Sequence, residues 1–122
     1  MTRVVGFIRP ENSVVIVEDV SGGQTPRLEG DSLVASSGSC IAVACRSALD
    51  GETRLTMGEA RDVDPGAAPS LDVLLATPGR EVVIRDVSEE ILAHADVATA
   101  TTRVRVWMED SRDPGWVVVG IN

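Results

Sequence analysis

The sequence has few of the side chains on which common active sites depend. Histidine occurs once, at His94, and cysteine only twice among 122 residues. Zinc and non-haem iron sites need several imidazole or thiolate ligands, and acid–base catalysis near neutral pH most often uses histidine. The segment Gly30-Asp31-Ser32-Leu33 spells a serine-hydrolase signature, but no apolar strand precedes it and no aspartate stands three positions before His94. The sequence therefore predicts no catalytic residue, no cofactor and no metal.

The two cysteines, Cys40 and Cys45, lie on one predicted strand. Their odd separation directs them to opposite faces of a sheet, because successive side chains of a strand alternate. They can then neither form a disulfide with each other nor share a metal ion. We expect two reduced, buried thiols that pack as small apolar side chains.

Long apolar runs are also absent. No segment approaches the roughly 20 apolar residues that span a bilayer. Residues 1–10 show neither the apolar region nor the small-residue cleavage site of a secretory signal. These features predict a cytoplasmic protein that does not enter a membrane.

Lysine is missing, so all eleven basic residues are arginines, and nineteen acidic residues give a net charge of −8. A surface of this sign repels phosphate backbones, which argues against nucleic-acid binding. It would attract a basic protein partner. The alternative is that the charge serves only to keep a small protein soluble.

Aromatic residues are scarce, so a core must consist of valine, leucine, isoleucine and alanine. Short runs of these residues alternate with turn signals, which is typical of all-β proteins. One domain, 1–122, is expected to form a two-layer antiparallel β-sandwich of about seven to nine strands, with the jelly roll as one candidate form. A capping-box pattern that starts at Asp86 predicts one short helix near 88–95. The expected strands are 4–8, 14–19, 28–35, 39–47, 53–61, 71–77, 81–87, 101–108 and 116–121.

The pattern also predicts the register of one hairpin and the buried faces of another. The turn signal Leu49-Asp50-Gly51 would form a three-residue loop that places Cys45 opposite Leu55 and Val43 opposite Met57. In the second hairpin, strands 101–108 and 116–121 would direct their aliphatic residues towards the core.

The opposite side of the second hairpin is the candidate site. We call it the Arg/Trp face; it consists of Arg103, Arg105, Trp107, Trp116 and Val118. Tryptophan and arginine are enriched in the energetic centres of protein interfaces. The alternative is that a loop or the short helix covers this face and the tryptophans serve as ordinary packing.

These observations favour a non-enzymatic protein-interaction module that uses the Arg/Trp face to bind a protein partner or a second copy of itself. One alternative is an acidic inhibitor or immunity-type protein that blocks a basic enzyme. Another is a binder of small acidic ligands through Arg103 and Arg105.

The acidic runs, such as Glu109-Asp110 with Asp113, lack the spacing of a calcium loop and are expected to be solvated turns.

Overall fold

A computed structural model describes residues 4–122, so residues 1–3 of the predicted domain lie outside the described part of the chain. Within these residues the chain forms ten strands, a 3₁₀ turn at Glu11–Ser13 and a four-residue helix, α1, at Ala60–Val63. The strands are β1 (Val4–Ile8), β2 (Val14–Asp19), β3 (Val34–Ser36), β4 (Cys40–Ala44), β5 (Thr53–Glu59), β6 (Leu71–Ala76), β7 (Glu81–Asp86), β8 (Ile91–Asp96), β9 (Thr101–Met108) and β10 (Trp116–Ile121).

The strands form two five-stranded sheets, with orders β1-β5-β10-β9-β6 and β3-β4-β2-β7-β8. This arrangement confirms the all-β sandwich. It has ten strands rather than the expected seven to nine, and β5 and β10 run parallel within an otherwise antiparallel first sheet. The parallel pair and the strand number both differ from a jelly roll, which has eight antiparallel strands.

The core lies between the two sheets and follows from the alternation of apolar residues along each strand. Val15 and Val17 of β2 and Ile84 of β7 meet Val106 and Val119 of the first sheet, all with no exposed surface. Full burial of one such side chain contributes roughly 1.5–3 kcal/mol. The core cluster between the sheets consists mainly of valine, leucine, isoleucine and alanine and contains no aromatic residue, as the scarcity of aromatics predicted.

The C-terminal hairpin has the predicted arrangement. In β9 and β10, Val106 lies opposite Val119 and Trp107 lies opposite Val118. Val106 and Val119 enter the core, whereas Trp107 and Val118 point away from it. The aliphatic pattern thus predicted the buried faces of both strands, and the structure supplies the register between them.

The other predicted hairpin is wrong. Strand β4 pairs with β2 and β3 in the second sheet, whereas β5 pairs with β1 and β10 in the first. The segment between them crosses from one sheet to the other. It is held there by the hydrogen bond from Arg46 N to Thr53 Oγ1 at 2.9 Å and from Ser47 N to Asp113 Oδ1 at 2.9 Å.

The short helix predicted near 88–95 is also wrong, because this segment forms the turn between β7 and β8 and then β8 itself. Asp86 acts as a cap, but of a turn: its Oδ1 accepts hydrogen bonds from Ser88 N at 2.9 Å and Glu90 N at 3.1 Å. The next residues pair with β7 and bury Ala93 and Ala95. The helix occurs instead at Ala60–Val63, and the predicted strand 28–35 is reduced to Val34–Ser36.

The cysteines are free and buried as predicted. Cys45 belongs to the core between the sheets, whereas Cys40 lies on the other side of β4, beneath the segment that contains Thr25. Burial raises the pKa of Cys40 to about 11 and that of Cys45 to about 12. Both are therefore protonated and inaccessible at neutral pH.

We expect neither thiol of the folded protein to react with a thiol-specific reagent at pH 7, because the thiolate is the reactive form. Both should react at once after unfolding in urea. The number of reacted thiols can be measured from the absorbance of the coloured group that the reagent releases. A Leu49→Cys variant provides the control, since Leu49 is 97% exposed. Reaction of the native cysteines at the rate of this control would contradict their burial.

No helix within the described residues is long and apolar enough to cross a membrane.

Candidate functional site

The outer side of the first sheet carries two rows of side chains that cross three or more strands. In one row, Phe7 of β1 is the register partner of Arg54, which is in turn the partner of Trp116 of β10. In the second row, Val5 pairs with Thr56, Thr56 with Val118, and Val118 with Trp107. The parallel pairing of β5 and β10 brings these residues together, although they lie far apart in sequence.

Much of this surface is apolar and open to solvent. The exposed fraction is 68% for Phe7 and 41% for Val5, whereas Trp116 and Val118 are half-buried. We call Val5, Phe7, Arg54, Trp116 and Val118 the outer patch. Two aromatic rings with an arginine between them have the composition of an interface centre.

Trp107 differs from the outer patch because it is covered by the segment 60–67. It is 2% exposed, and its indole Nε1 donates a hydrogen bond of 2.8 Å to the carbonyl oxygen of Ala67. Gly120 allows this close approach: a Cβ there would lie 2.8 Å from Trp107 Cζ3 and 3.0 Å from Ala60 Cα. The covering segment therefore assigns intramolecular packing to this tryptophan, and the predicted Arg/Trp face is interrupted at its centre.

A groove of about 400 Å³ runs between the covering segment and the outer patch. Its walls include Trp116, Val118 and Arg54 on the sheet and the exposed carboxylates of Asp62 and Asp64 on the segment. Asp64 Oδ1 accepts a hydrogen bond of 2.7 Å from Gly66 N, which holds the segment's turn. The sheet side of the groove therefore presents both apolar and polar side chains, and Asp62 and Asp64 form an acidic rim on the other side.

The two predicted arginines lie further along the same outer side. Arg103 makes two hydrogen bonds to Asp72, from Nε at 2.9 Å and from Nη2 at 2.6 Å. These bonds lower the pKa of Asp72 and raise that of Arg103. Arg105 is half-buried and its Nε has no hydrogen-bond partner among the described residues. Arg103 thus already holds a carboxylate of its own chain, which argues against a site for a small acid there.

Sequence reasoning missed Val5, Phe7 and Arg54. Their strands were predicted, but their place beside Trp116 depends on the order of strands in the sheet. One signal was available: Phe7 is the single phenylalanine of a chain with few aromatics.

Side chains from two of the acidic runs make contacts within the chain. Glu109 Oε1 accepts a hydrogen bond of 2.7 Å from Gly115 N and lies 3.9 Å from Arg46 Nη2, while Asp113 Oδ2 lies 3.6 Å from Arg46 Nε. Glu18 lies 3.4 Å from Arg85 Nη1. Within residues 4–122, no cluster of three or more potential ligands could hold a metal ion.

His94 lines a second groove, of about 620 Å³, between β8 and the end of β5. Its Nδ1 lies 3.3 Å from Glu81 Oε2, and its side chain is largely exposed. No serine, threonine or cysteine is among the described residues that line this groove. The described part of its lining therefore offers no hydroxyl or thiol for a histidine–carboxylate pair to activate.

No protein-family model and no curated protein matches the chain. Solved structures do share its fold. ComJ from Bacillus subtilis, described as an inhibitor of the DNA-degrading activity of NucA, matches with a TM-score of 0.65 and 10% identity over 97% of each chain. The product of crocagin biosynthetic gene J matches with a TM-score of 0.55 and 9% identity, over 99% of this chain and 97% of its own. At these identities the likeness shows the fold alone.

Proposed function

We propose that this protein is a non-enzymatic, cytoplasmic inhibitor of the immunity type, which binds a basic enzyme through the outer patch. The observation that carries the proposal is the outer patch itself: an exposed aromatic surface with an acidic groove beside it, on a chain of net charge −8. Burial of the apolar side chains would provide binding energy, and the carboxylates would favour a positively charged partner.

The likeness to ComJ supports the inhibitor over a general interaction module, since the two chains share a fold along nearly their whole lengths. A positively charged enzyme that acts on nucleic acid would have the required charge, because such enzymes bind phosphates with arginine and lysine. Arg103 and its bound Asp72 give no support to the small-acid binder. Self-association, the other form of the interaction module, would use the free edge of β1, which includes Val5 and Phe7 of the outer patch, and is treated below.

The proposal predicts stoichiometric inhibition of a basic enzyme, which a DNA-degradation assay against a panel of purified basic nucleases would measure. Inhibition should weaken as ionic strength rises, because salt screens the attraction between opposite charges. The Trp116→Ala variant should weaken inhibition by about 30-fold, the loss typical of a hot-spot residue. Its control is Ile91→Ala, which removes an apolar side chain that is 51% exposed and lies on β8 of the other sheet.

Two results would contradict the proposal. The absence of inhibition across the panel would argue against an inhibitor of basic nucleases. Inhibition that is unchanged in Trp116→Ala and unchanged by added salt would also contradict it. The first observation would place the interface outside the outer patch, and the second would show that charge attraction does not contribute to binding.

A further inference from the structure

The two sheets have four edge strands: β1 and β6 in the first sheet, β3 and β8 in the second. An edge strand presents unpaired N–H and C=O groups, to which a strand of another chain can bind. Natural proteins usually protect such edges by keeping the strand short, by placing charges on it or by a β-bulge.

Three of these edges carry such protection. Strand β3 is only three residues long. Strand β8 contains a register irregularity opposite Ile84 and Arg85 and bears His94 and Asp96. Strand β6 carries Asp72, whose carboxylate is ion-paired on its outer side.

Strand β1 carries none of them. Its five residues, Val4–Ile8, include no charged residue and no proline, and among the described residues it forms a ladder with β5 alone. Several apolar side chains of the strand are also exposed to solvent. Val4 is 37% exposed, Val5 41% and Phe7 68%, so β1 holds three of the eight exposed large apolar side chains of the described chain.

We propose that two copies of this protein associate by antiparallel pairing of their β1 strands, with Gly6 on the two-fold axis. In this register Val5 of each copy lies opposite Phe7 of the other, and Val4 lies opposite Ile8. Pairs of an aromatic and a β-branched residue are among the favourable cross-strand neighbours of antiparallel sheets. The two first sheets then join into one continuous sheet of ten strands.

Side-chain complementarity favours a second copy as the occupant of this edge. In the register about Gly6, each copy places its Val5 beside the exposed Phe7 of the other, so the favourable pair forms twice. Val4–Ile8 holds no charged residue, so the pairing brings together none of the carboxylates that give each chain its net charge of −8. The pairing uses the edge of the sheet, so it depends on no inhibited enzyme.

Light scattering coupled to size exclusion, over a series of protein concentrations, tests the dimer. Wild type is expected to be dimeric. Phe7→Lys should weaken the dimer at least about tenfold, because a dimer of this variant would place one lysine charge from each copy against Val5 of the other. Leu74→Lys is the matched control: Leu74 is 65% exposed, lies on the opposite edge strand of the same sheet and gains the same charge. A monomeric wild type, or a dimer that Phe7→Lys leaves intact, would overturn the proposal.

A Gly6→Cys variant tests the register directly. A Cβ at Gly6 meets no atom within 4 Å, so the strand should accept the substitution. Mild oxidation should then give a covalent dimer, and peptide mass spectrometry should locate the bond at position 6, because the native thiols are buried. Crosslinking no faster than in a Leu49→Cys control would exclude the two-fold axis at Gly6. Neither measurement involves an enzyme, so failure here leaves the inhibition assay to decide the proposed function separately.

Discussion

Replacing Trp107 with alanine is expected to lower the free energy of unfolding by about 3–5 kcal/mol, the range for removal of a large buried aromatic side chain. The indole is 2% exposed, and it packs closely at Gly120 and Ala60. Its Nε1 also satisfies the carbonyl of Ala67 at 2.8 Å. Loss of the ring would leave a cavity beneath the segment 60–67 and release the wall of the acidic groove. Urea unfolding followed by circular dichroism would measure the change.

Two further variants separate the effects of Trp107. Trp107→Phe keeps most of the ring but removes the hydrogen bond to Ala67, and it should cost roughly 1–2 kcal/mol. Trp116→Ala alters the half-buried tryptophan on the same side of the sheet and should cost clearly less than Trp107→Ala. Equal losses of stability in Trp107→Ala and Trp116→Ala would contradict the division between a packed and an available tryptophan.

The second large effect is expected at Asp19, the last residue of β2, which has no exposed surface. Its Oδ2 accepts hydrogen bonds from Ser21 N at 3.0 Å and Gly79 N at 3.0 Å. Gly79 lies in the connection from β6 to β7, so this carboxylate fixes a crossover between the two sheets. Asp19→Ala would leave these donors without a partner and should lower the free energy of unfolding by about 2–4 kcal/mol.

The same position has a defined pH dependence. Burial raises the pKa of Asp19, but hydrogen bonds from Ser21, Gly79 and Glu81 outweigh it, so the pKa in the folded state is below the ordinary value of 3.8. The stability that the carboxylate contributes is therefore fully present above about pH 4 and is lost as the pH falls through the lowered pKa. Urea unfolding at a series of pH values should show the gap between wild type and Asp19→Ala narrowing in acid.

Gly79→Ala provides an independent test of this site. A Cβ at Gly79 would lie 2.7 Å from Asp19 Oδ2 and 2.9 Å from Val20 Cγ1, so it should weaken the same contact without removing the carboxylate. Both changes disrupt one interaction. The loss of unfolding free energy in the double variant should therefore be smaller than the sum of the losses in the two single variants. Full additivity would contradict the contact.

Local patterns were enough to predict most strands and the buried faces of one hairpin. The alternation of aliphatic residues along β9 and β10 determined which face of each strand is buried. The odd spacing of Cys40 and Cys45 placed them correctly on opposite sides of their strand. In these cases burial of one face depends on the sequence of a single strand or hairpin, so periodicity carries the information.

Local patterns failed where two interpretations had similar local support. The turn at Asp50-Gly51 reverses the chain in either arrangement, but the contacts of Arg46 and Ser47 direct it into the other sheet. Asp86 caps a turn as readily as a helix, and pairing with β7 decided in favour of β8. In both cases the conformation depends on contacts with residues far away in the sequence. The pattern within one short segment contains no information about such contacts.

The candidate site shows the same division. The sequence by itself determined that Trp116 and Val118 point away from the core, that the chain is acidic and that it lacks the residues of common active sites. Only the tertiary structure placed Phe7 and Arg54 beside Trp116 and buried Trp107 beneath the segment 60–67. The physical reason is that alternation within a strand fixes the direction of its side chains, whereas their neighbours depend on strand order and on which segment packs over the sheet.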